Sequence, residues 1–322
     1  MRCAKFTGDG NIQIVEADLP VPNAQEVLLR VLACSLCGSD ARPFKLGWPV
    51  TPGHEIVGQV DQLGHALHRK RCLVYIPVWC GQCEQCLNQQ TQLCENATDL
   101  MGWQRPGGYA EALLVPTQCL LPVPDDIPTH LAPLLLDTIG TAAHGVRLAS
   151  RLVQSGRVLI MGLGPIGLGA LLVLQHFGYQ SIGAYDPNPL RLATAITLGA
   201  QSFDSDQRTS FALILECSGK DQARQQALEW VAPGGVVIQL GEADAWSVQE
   251  TKAIRRKDFF YVRSFYFPIS EYQNNIEILR NDMDRFNRLV DGKVPLEGLQ
   301  NLFTQFFSGQ KLKPQFSLVD EG

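Results

Sequence analysis

The chain has 322 residues, 45% of them hydrophobic and 18% charged, with a formal net charge of -5 and an isoelectric point near 5.7. That length suits about two domains with a substantial core, and the acidic balance excludes a general attraction to nucleic acid or to an anionic membrane. The opening "MRCAKFTGDG" is charged and lacks an apolar segment, so no signal peptide is expected and the predicted location is the cytoplasm.

The first third reads as short strands broken by Gly and Pro: "NIQIVEADLP", "EVLLRVLAC", "EIVGQVDQLG" and "YAEALLVP". Within it, "CGQCEQCLNQQTQLC" places Cys80, Cys83, Cys86 and Cys94 in fifteen residues. A reducing compartment argues against disulfides. A redox C-x-x-C would need two of the four and a thioredoxin-like unit, which the sequence lacks. Four thiolates at this spacing form a closed tetrahedral zinc cage, able to order a polar loop that cannot order itself.

From about residue 157 strands and helices alternate: "RVLIM", "GPIGLGALLVLQHFG", "SIGAY", "PLRLATAITLGA", "FALILECSG", "DQARQQALEWV" and "GGVVIQLG". Short loops between them predict a doubly wound parallel sheet of the Rossmann type. The uncharged run Val158–Leu174 is 17 residues long and holds four glycines and a proline, which reads as strand, turn and buried helix rather than a bilayer span. In the turn, Gly162, Gly164, Pro165, Ile166 and Gly167 supply a G-x-G-x-x-G pattern, and Asp186 ends the next strand. Glycines there allow a pyrophosphate to approach the helix N-terminus, while the carboxylate accepts ribose hydroxyls and repels a 2′-phosphate, favouring NAD. The alternative is that the glycines serve packing and Asp186 caps the helix at "PNPLR". Arg191, one turn into that helix, is a candidate ribose contact or a solvated arginine.

The segments "CGSD" (37–40), "GHEIVGQV" (53–60), the cysteine lobe, "GGYAEALLVP" (107–116), "DTIGTAAHGV" (137–146) and "GLGPIG" with Asp186 stand in the order that resembles the zinc-containing medium-chain alcohol dehydrogenases, near the polyol and threonine dehydrogenase branch. The resemblance implies a GroES-like β-rich catalytic domain from residues 1–137 and 269–322, with a Rossmann domain at 138–268. It also implies two zinc ions per chain, NAD, a small-molecule alcohol or ketone as the partner, and a homodimer or homotetramer. By the same resemblance the catalytic zinc sits on Cys37, His54 and Asp137, with Glu55 as an alternative third ligand. Asp40 would orient His54 and Ser39 would take the proton of the substrate alcohol, whose hydride passes to the nicotinamide. On residue types alone, His54 and Cys37 could equally be a turn histidine and a buried thiol, and Ser39 and Asp40 local caps.

Three features depart from the family pattern. Arg42 stands three residues after Ser39, where some relatives have a relay histidine; a guanidinium cannot shuttle protons near neutral pH, so the proton exit differs, or Arg42 contacts an anionic or hydroxyl-rich substrate, or it is a surface arginine, the leading alternative. The segment between "CGSD" and "GHE" is short, and a basic run, "HALHRKRC", replaces a Gly-Asp turn. Phe44, Trp48 and Trp103 are candidates for a pocket wall or for core. The expected activity is oxidation of a secondary alcohol, with a polyol, sugar or cyclitol favoured. The alternatives are a zinc-independent quinone or enoyl reductase of the same superfamily and a non-enzymatic dinucleotide-binding sensor.

Overall fold

The computed structural model describes residues 1–97, 99–203, 210–242 and 245–319. The chain divides into two compact units: residues 1–136, 268–270 and 287–322 form the first, residues 137–267 and 271–286 the second.

The first unit is mainly β. Strands β1 (Arg2–Gly8) and β2 (Asn11–Glu16) pair as an antiparallel hairpin. The ten-residue β3 (Glu26–Ser35) carries "VLL" and "ACS" as buried runs, and it lies between partners because both its edges are taken. It pairs antiparallel with β4 (Glu55–Val60) and with β6 (Ala112–Pro116), while β5 (Arg71–Val74) and β7 (Leu120–Pro122) continue the sheet beyond β4. The register Ser35↔Glu55 has a direct consequence. Extending an antiparallel pair by two residues sets Leu36 opposite His54 and Cys37 opposite Gly53, so the sheet delivers "C" of CGSD and "HE" of GHE to one place.

In the second unit six parallel strands occur in the order β10-β9-β8-β11-β12-β13, namely β8 (Val158–Met161), β9 (Ile182–Tyr185), β10 (Gln201–Ser202), β11 (Phe211–Glu216), β12 (Val231–Gln239) and β13 (Phe260–Arg263). In chain order this is the 3-2-1-4-5-6 arrangement of a Rossmann sheet, whose switch point lies between β8 and β11. The helix Pro165–His176 buries nine of its twelve residues, which explains why its sequence is apolar all round. Its Gly169 lets the helix approach the π-helical turn Asp137–Thr141 closely, since a Cβ there would come within 2.2 Å of the Thr138 carbonyl oxygen. The helix Tyr272–Asn281 joins this unit: Glu271, just before it, bonds His144 Nδ1 at 3.0 Å and accepts from Arg147, which also bonds Asn275 at 3.1 Å.

The chain then returns to the first unit, where β14 (Lys293–Val294) and β15 (Gln315–Ser317) extend the sheet past β3. The helix Leu299–Phe307 brings Phe303 and Phe307 into an aromatic cluster with Phe6, Phe44 and Tyr109. Among the described residues no helix is long and apolar enough to cross a membrane.

Candidate functional site

Among the described residues two clusters gather side chains suited to a metal. In the cysteine lobe one ligand atom from each of Cys80, Cys83, Cys86 and Cys94 lies within 4.8 Å of every other. No disulfide forms, and Cys83 Sγ and Cys94 Sγ stand 3.9 Å apart. Four sulfurs about 2.3 Å from a tetrahedral zinc would be about 3.8 Å apart, so the set fits that ion. The short helix Glu84–Leu87 begins after Cys83, turning Cys83 and Cys86 to one side. Donors already converge on one sulfur: Asn96 Nδ2 at 3.4 Å, Cys83 N at 3.4 Å and Gln82 N at 3.5 Å reach Cys80. The Asn96 bond, followed by the two backbone bonds, pulls the Cys80 thiol down to about 6, whereas burial pushes Cys86 up to about 12.

The second cluster stands at the ends of β3 and β4, where ligand atoms of Cys37, His54, Glu55 and Asp137 also lie within 4.8 Å of one another. Cys37, His54 and Glu55 are buried, and Asp137 is partly so. Cys37 precedes the 3-10 turn Gly38–Asp40 and Glu55 opens β4. Asp137 opens the π-helical turn, where Thr141 Oγ1 donates to its Oδ1 at 3.1 Å. Such turns widen the helical spiral locally and are frequent at functional positions. A thiol, an imidazole and two carboxylates, soft and hard donors together, suit zinc better than a cation that takes oxygen alone.

Around this set the supporting bonds are specific. Asp40 is 1% exposed; its Oδ2 accepts from Cys37 N at 2.9 Å and from Tyr109 Oη at 2.7 Å, and its Oδ1 lies 3.6 Å from His54 Nδ1. Burial, reinforced by the Asp40 charge, raises the Tyr109 phenol well above its ordinary value, so it stays a donor. Lys313, fully buried, donates to Glu55 Oε1 and to the Leu36 carbonyl at 2.9 Å. Trp103 stacks on the His54 ring with centroids 5.6 Å apart. Ser39 sits in the same turn as Cys37 and Asp40, partly exposed. Phe44, partly buried, packs on Phe6, Phe303 and Phe307.

The glycine turn after β8 is shaped by close contact. Gly162 adopts φ 89°, and a Cβ on Gly167 would fall 1.9 Å from the Gly162 carbonyl oxygen. Gly164 caps the helix that Pro165 and Ile166 begin. Asp186 is 8% exposed and grips the turn: its Oδ2 accepts from Leu163 N at 2.6 Å, and its Oδ1 from Asn188 N at 2.8 Å. The cap of the following helix is Asn188, which accepts from Leu190 N and Arg191 N, so Asp186 does not do that work. Arg191 reaches toward Gly164, its Nη1 4.0 Å from where a Cβ would stand. Tyr109, Lys313 and the Trp103 stack had no role in the sequence reading. Tyr109 lay inside a quoted motif, but nothing in "KLKPQFS" marks Lys313 as buried.

Residues 23–125 match the family model for the alcohol dehydrogenase GroES-like domain. The L-threonine 3-dehydrogenase of Xanthomonas campestris pv. campestris (strain B100) is 31% identical over 254 residues, 71% of this chain and 74% of that protein. The chain belongs to the zinc-containing medium-chain alcohol dehydrogenase family. It is an NAD-linked oxidoreductase acting on CH–OH groups. The L-threonine 3-dehydrogenase of Anaeromyxobacter sp. (strain Fw109-5) is 29% identical over 335 residues, 95% of each chain. The alcohol dehydrogenase TADH from Thermus sp. ATN1 shares the fold at a TM-score of 0.89 with 26% identity, covering 99% of this chain and all of its own. The two sulfur-bearing clusters are therefore the catalytic and structural zinc sites of a family member.

Proposed function

We propose that this dehydrogenase oxidises a secondary alcohol carrying further polar groups, a polyol, sugar or cyclitol in preference to a simple alkanol, with NAD as acceptor. The observation that carries the reading is the convergence of Cys37, His54, Glu55 and Asp137 within 4.8 Å. Zinc held there supplies a Lewis acid that brings the pKa of an alcohol towards neutrality.

The chain's own groups divide the remaining tasks. Asp40, held by Tyr109, faces His54 Nδ1 and fixes the orientation of the imidazole. Glu55 is already engaged by Lys313, which favours Asp137 as the third ligand and leaves Glu55 as a charge beside the metal. Lys313 offsets the charge of Glu55, while the thiolate of Cys37 and the carboxylate of Asp137 are left to offset a divalent ion, with Asp40 behind His54. Ser39 relays the proton of the substrate hydroxyl, taking it up as its own hydroxyl proton passes on through the cofactor ribose to solvent. Gly162 to Gly167 receive the pyrophosphate, and Asp186 with Arg191 receives the adenosine ribose. The substrate class rests on the hard carboxylates of the donor set and on the aromatic wall of Trp103 and Trp48, whose faces suit the C–H face of a polyol. L-Threonine, named for the two bacterial relatives, is itself a secondary alcohol with polar neighbours. A cytoplasmic homo-oligomer is the expected form.

The test is an NADH-formation screen over alkanols, polyols, amino alcohols and sugars with zinc measured on the same preparation. Two zinc ions per chain and turnover abolished by chelation are expected. One zinc per chain with chelator-insensitive turnover would instead favour a zinc-independent reductase.

A further inference from the structure

The aromatic wall beside His54 ends on a cation. Trp103 lies on the His54 ring, Trp48 meets Trp103 edge to face at 5.7 Å, and the Arg42 guanidinium lies over Trp48 at 5.9 Å from its centroid. The wall is held rigidly. Trp48 Nε1 donates to the Trp103 carbonyl at 2.7 Å, Trp48 N to the Phe6 carbonyl at 3.0 Å, and Trp103 N to the Leu100 carbonyl at 3.1 Å. Both indoles are half-buried, and Arg42 is exposed. Arg2, Arg30 and Arg105 of this unit each bond a carboxylate, whereas among the described residues no carboxylate pairs with Arg42, as with Arg69, Arg71 and Arg288, and of these Arg42 is the one beside the aromatic wall. Arg42 follows Cys37 by five residues through a 3-10 turn and the start of the helix Ala41–Leu46. At about 1.5 Å per helical residue, that puts its backbone roughly 8 Å from the cysteine.

We propose that Arg42 is a specificity-determining residue: it recognises a carboxylate or phosphate on the substrate whose hydroxyl is oxidised at the Cys37–His54 set. This rests on the dehydrogenase reading above. The cation–π contact with Trp48 holds the guanidinium near the end of the wall, and its N–H groups remain to bind an anion in bidentate fashion. The intervening carbons of the substrate lie along Trp48 and Trp103. A guanidinium carries donors only and cannot relay protons near neutral pH, so the role assigned to Arg42 is a contact to an acceptor on the substrate.

The experiment uses the zinc-loaded full chain with NADH bound and titrates D-sorbitol, D-gluconate and D-sorbitol 6-phosphate by calorimetry, a matched neutral, carboxylate and phosphate set. At least one anion is expected to bind about tenfold or more tighter than sorbitol, as a charge-assisted hydrogen bond requires, with an advantage that shrinks in high salt. Which anion binds tighter distinguishes the two sources. Arg42→Gln should abolish the advantage, and Arg42→Lys should keep part of it. Equal binding of the three, an advantage that survives Arg42→Gln, or a loss explained by weaker NADH binding in that variant would each overturn the proposal. The last outcome would make Arg42 a cofactor contact. Turnover separates the two readings: oxidation of neutral alcohols without anion preference leaves the dehydrogenase assignment standing and removes this one. Anion preference without NADH formation does the reverse.

Discussion

Single side chains decide how well the catalytic donor set is held. Asp40 is buried and takes two strong bonds, from Cys37 N and from Tyr109 Oη. Tyr109→Phe removes one donor from a buried carboxylate and should cost about 1–3 kcal/mol. Because the ring packing on Phe6 and Phe303 is retained, the loss should appear as a lower melting temperature and a reduced kcat, with zinc content unchanged on metal analysis. Lys313 makes the sharper case. Lys313→Met leaves Glu55 as a buried charge without its ammonium, a change expected to cost about 3–5 kcal/mol. The double variant with Glu55→Gln should recover most of that in denaturant unfolding, and additive losses would mean the pair is not coupled. Sequence reading found Asp40 and Glu55 because motifs surround them. It could not find Lys313, since the burial of one lysine in a polar tail depends on a partner 258 positions away in the chain.

At the level of elements, hydrophobic patterning identified β3, β4, β8, β9, β11 and the helix Pro165–His176, because each is either a long buried run or a strand framed by turn residues. It did not reveal β10, which has two residues, or the π-helical opening at Asp137, which depends on how the helix Pro165–His176 presses against it through Gly169. The cysteine lobe was legible for a different reason: ligand spacing is chemistry, not periodicity. The packed apolar cluster around its sulfurs holds little beyond Trp79, Ala97 and the cysteines themselves, and Leu87 and Leu93 face out exposed. Stripping zinc with a strong chelator should therefore loosen residues 77–97 first. Limited proteolysis is expected to cut there many times faster in the stripped protein, with protection restored on adding zinc back. Unchanged cleavage after verified metal loss would show that the lobe is held by its backbone bonds alone.

For the whole molecule, the division into two units places three of the four metal-site residues in one and the glycine turn in the other. Cys37, His54 and Glu55 belong to the first unit, and the second holds the glycine turn, Asp186 and Arg191, with Asp137 as its first residue. In the sequence each proposed job has its own local signature, a thiolate-imidazole pair against a strand-turn-helix glycine motif. No local motif marks residues 271–286 as part of the second unit, where Glu271 bonds His144 and Arg147 and the following helix buries Tyr272, Ile276, Ile278 and Leu279. If the jobs are separable, damage to one should spare the other. Cys37→Ala removes the thiolate from the donor set, so NADH formation should fall by at least a thousandfold while NADH affinity by fluorescence stays within about twofold. Asp186→Ala should do the opposite: the zinc count remains two, the KM for NAD rises about tenfold or more, and discrimination against NADP shrinks as the repelling carboxylate disappears. Asp186 also accepts from Leu163 N, so Asp186→Asn, which keeps an acceptor there but drops the charge, isolates the electrostatic part. Loss of cofactor affinity in Cys37→Ala, or unchanged cofactor preference in both Asp186 variants, would mean that the division by unit does not describe how the enzyme works.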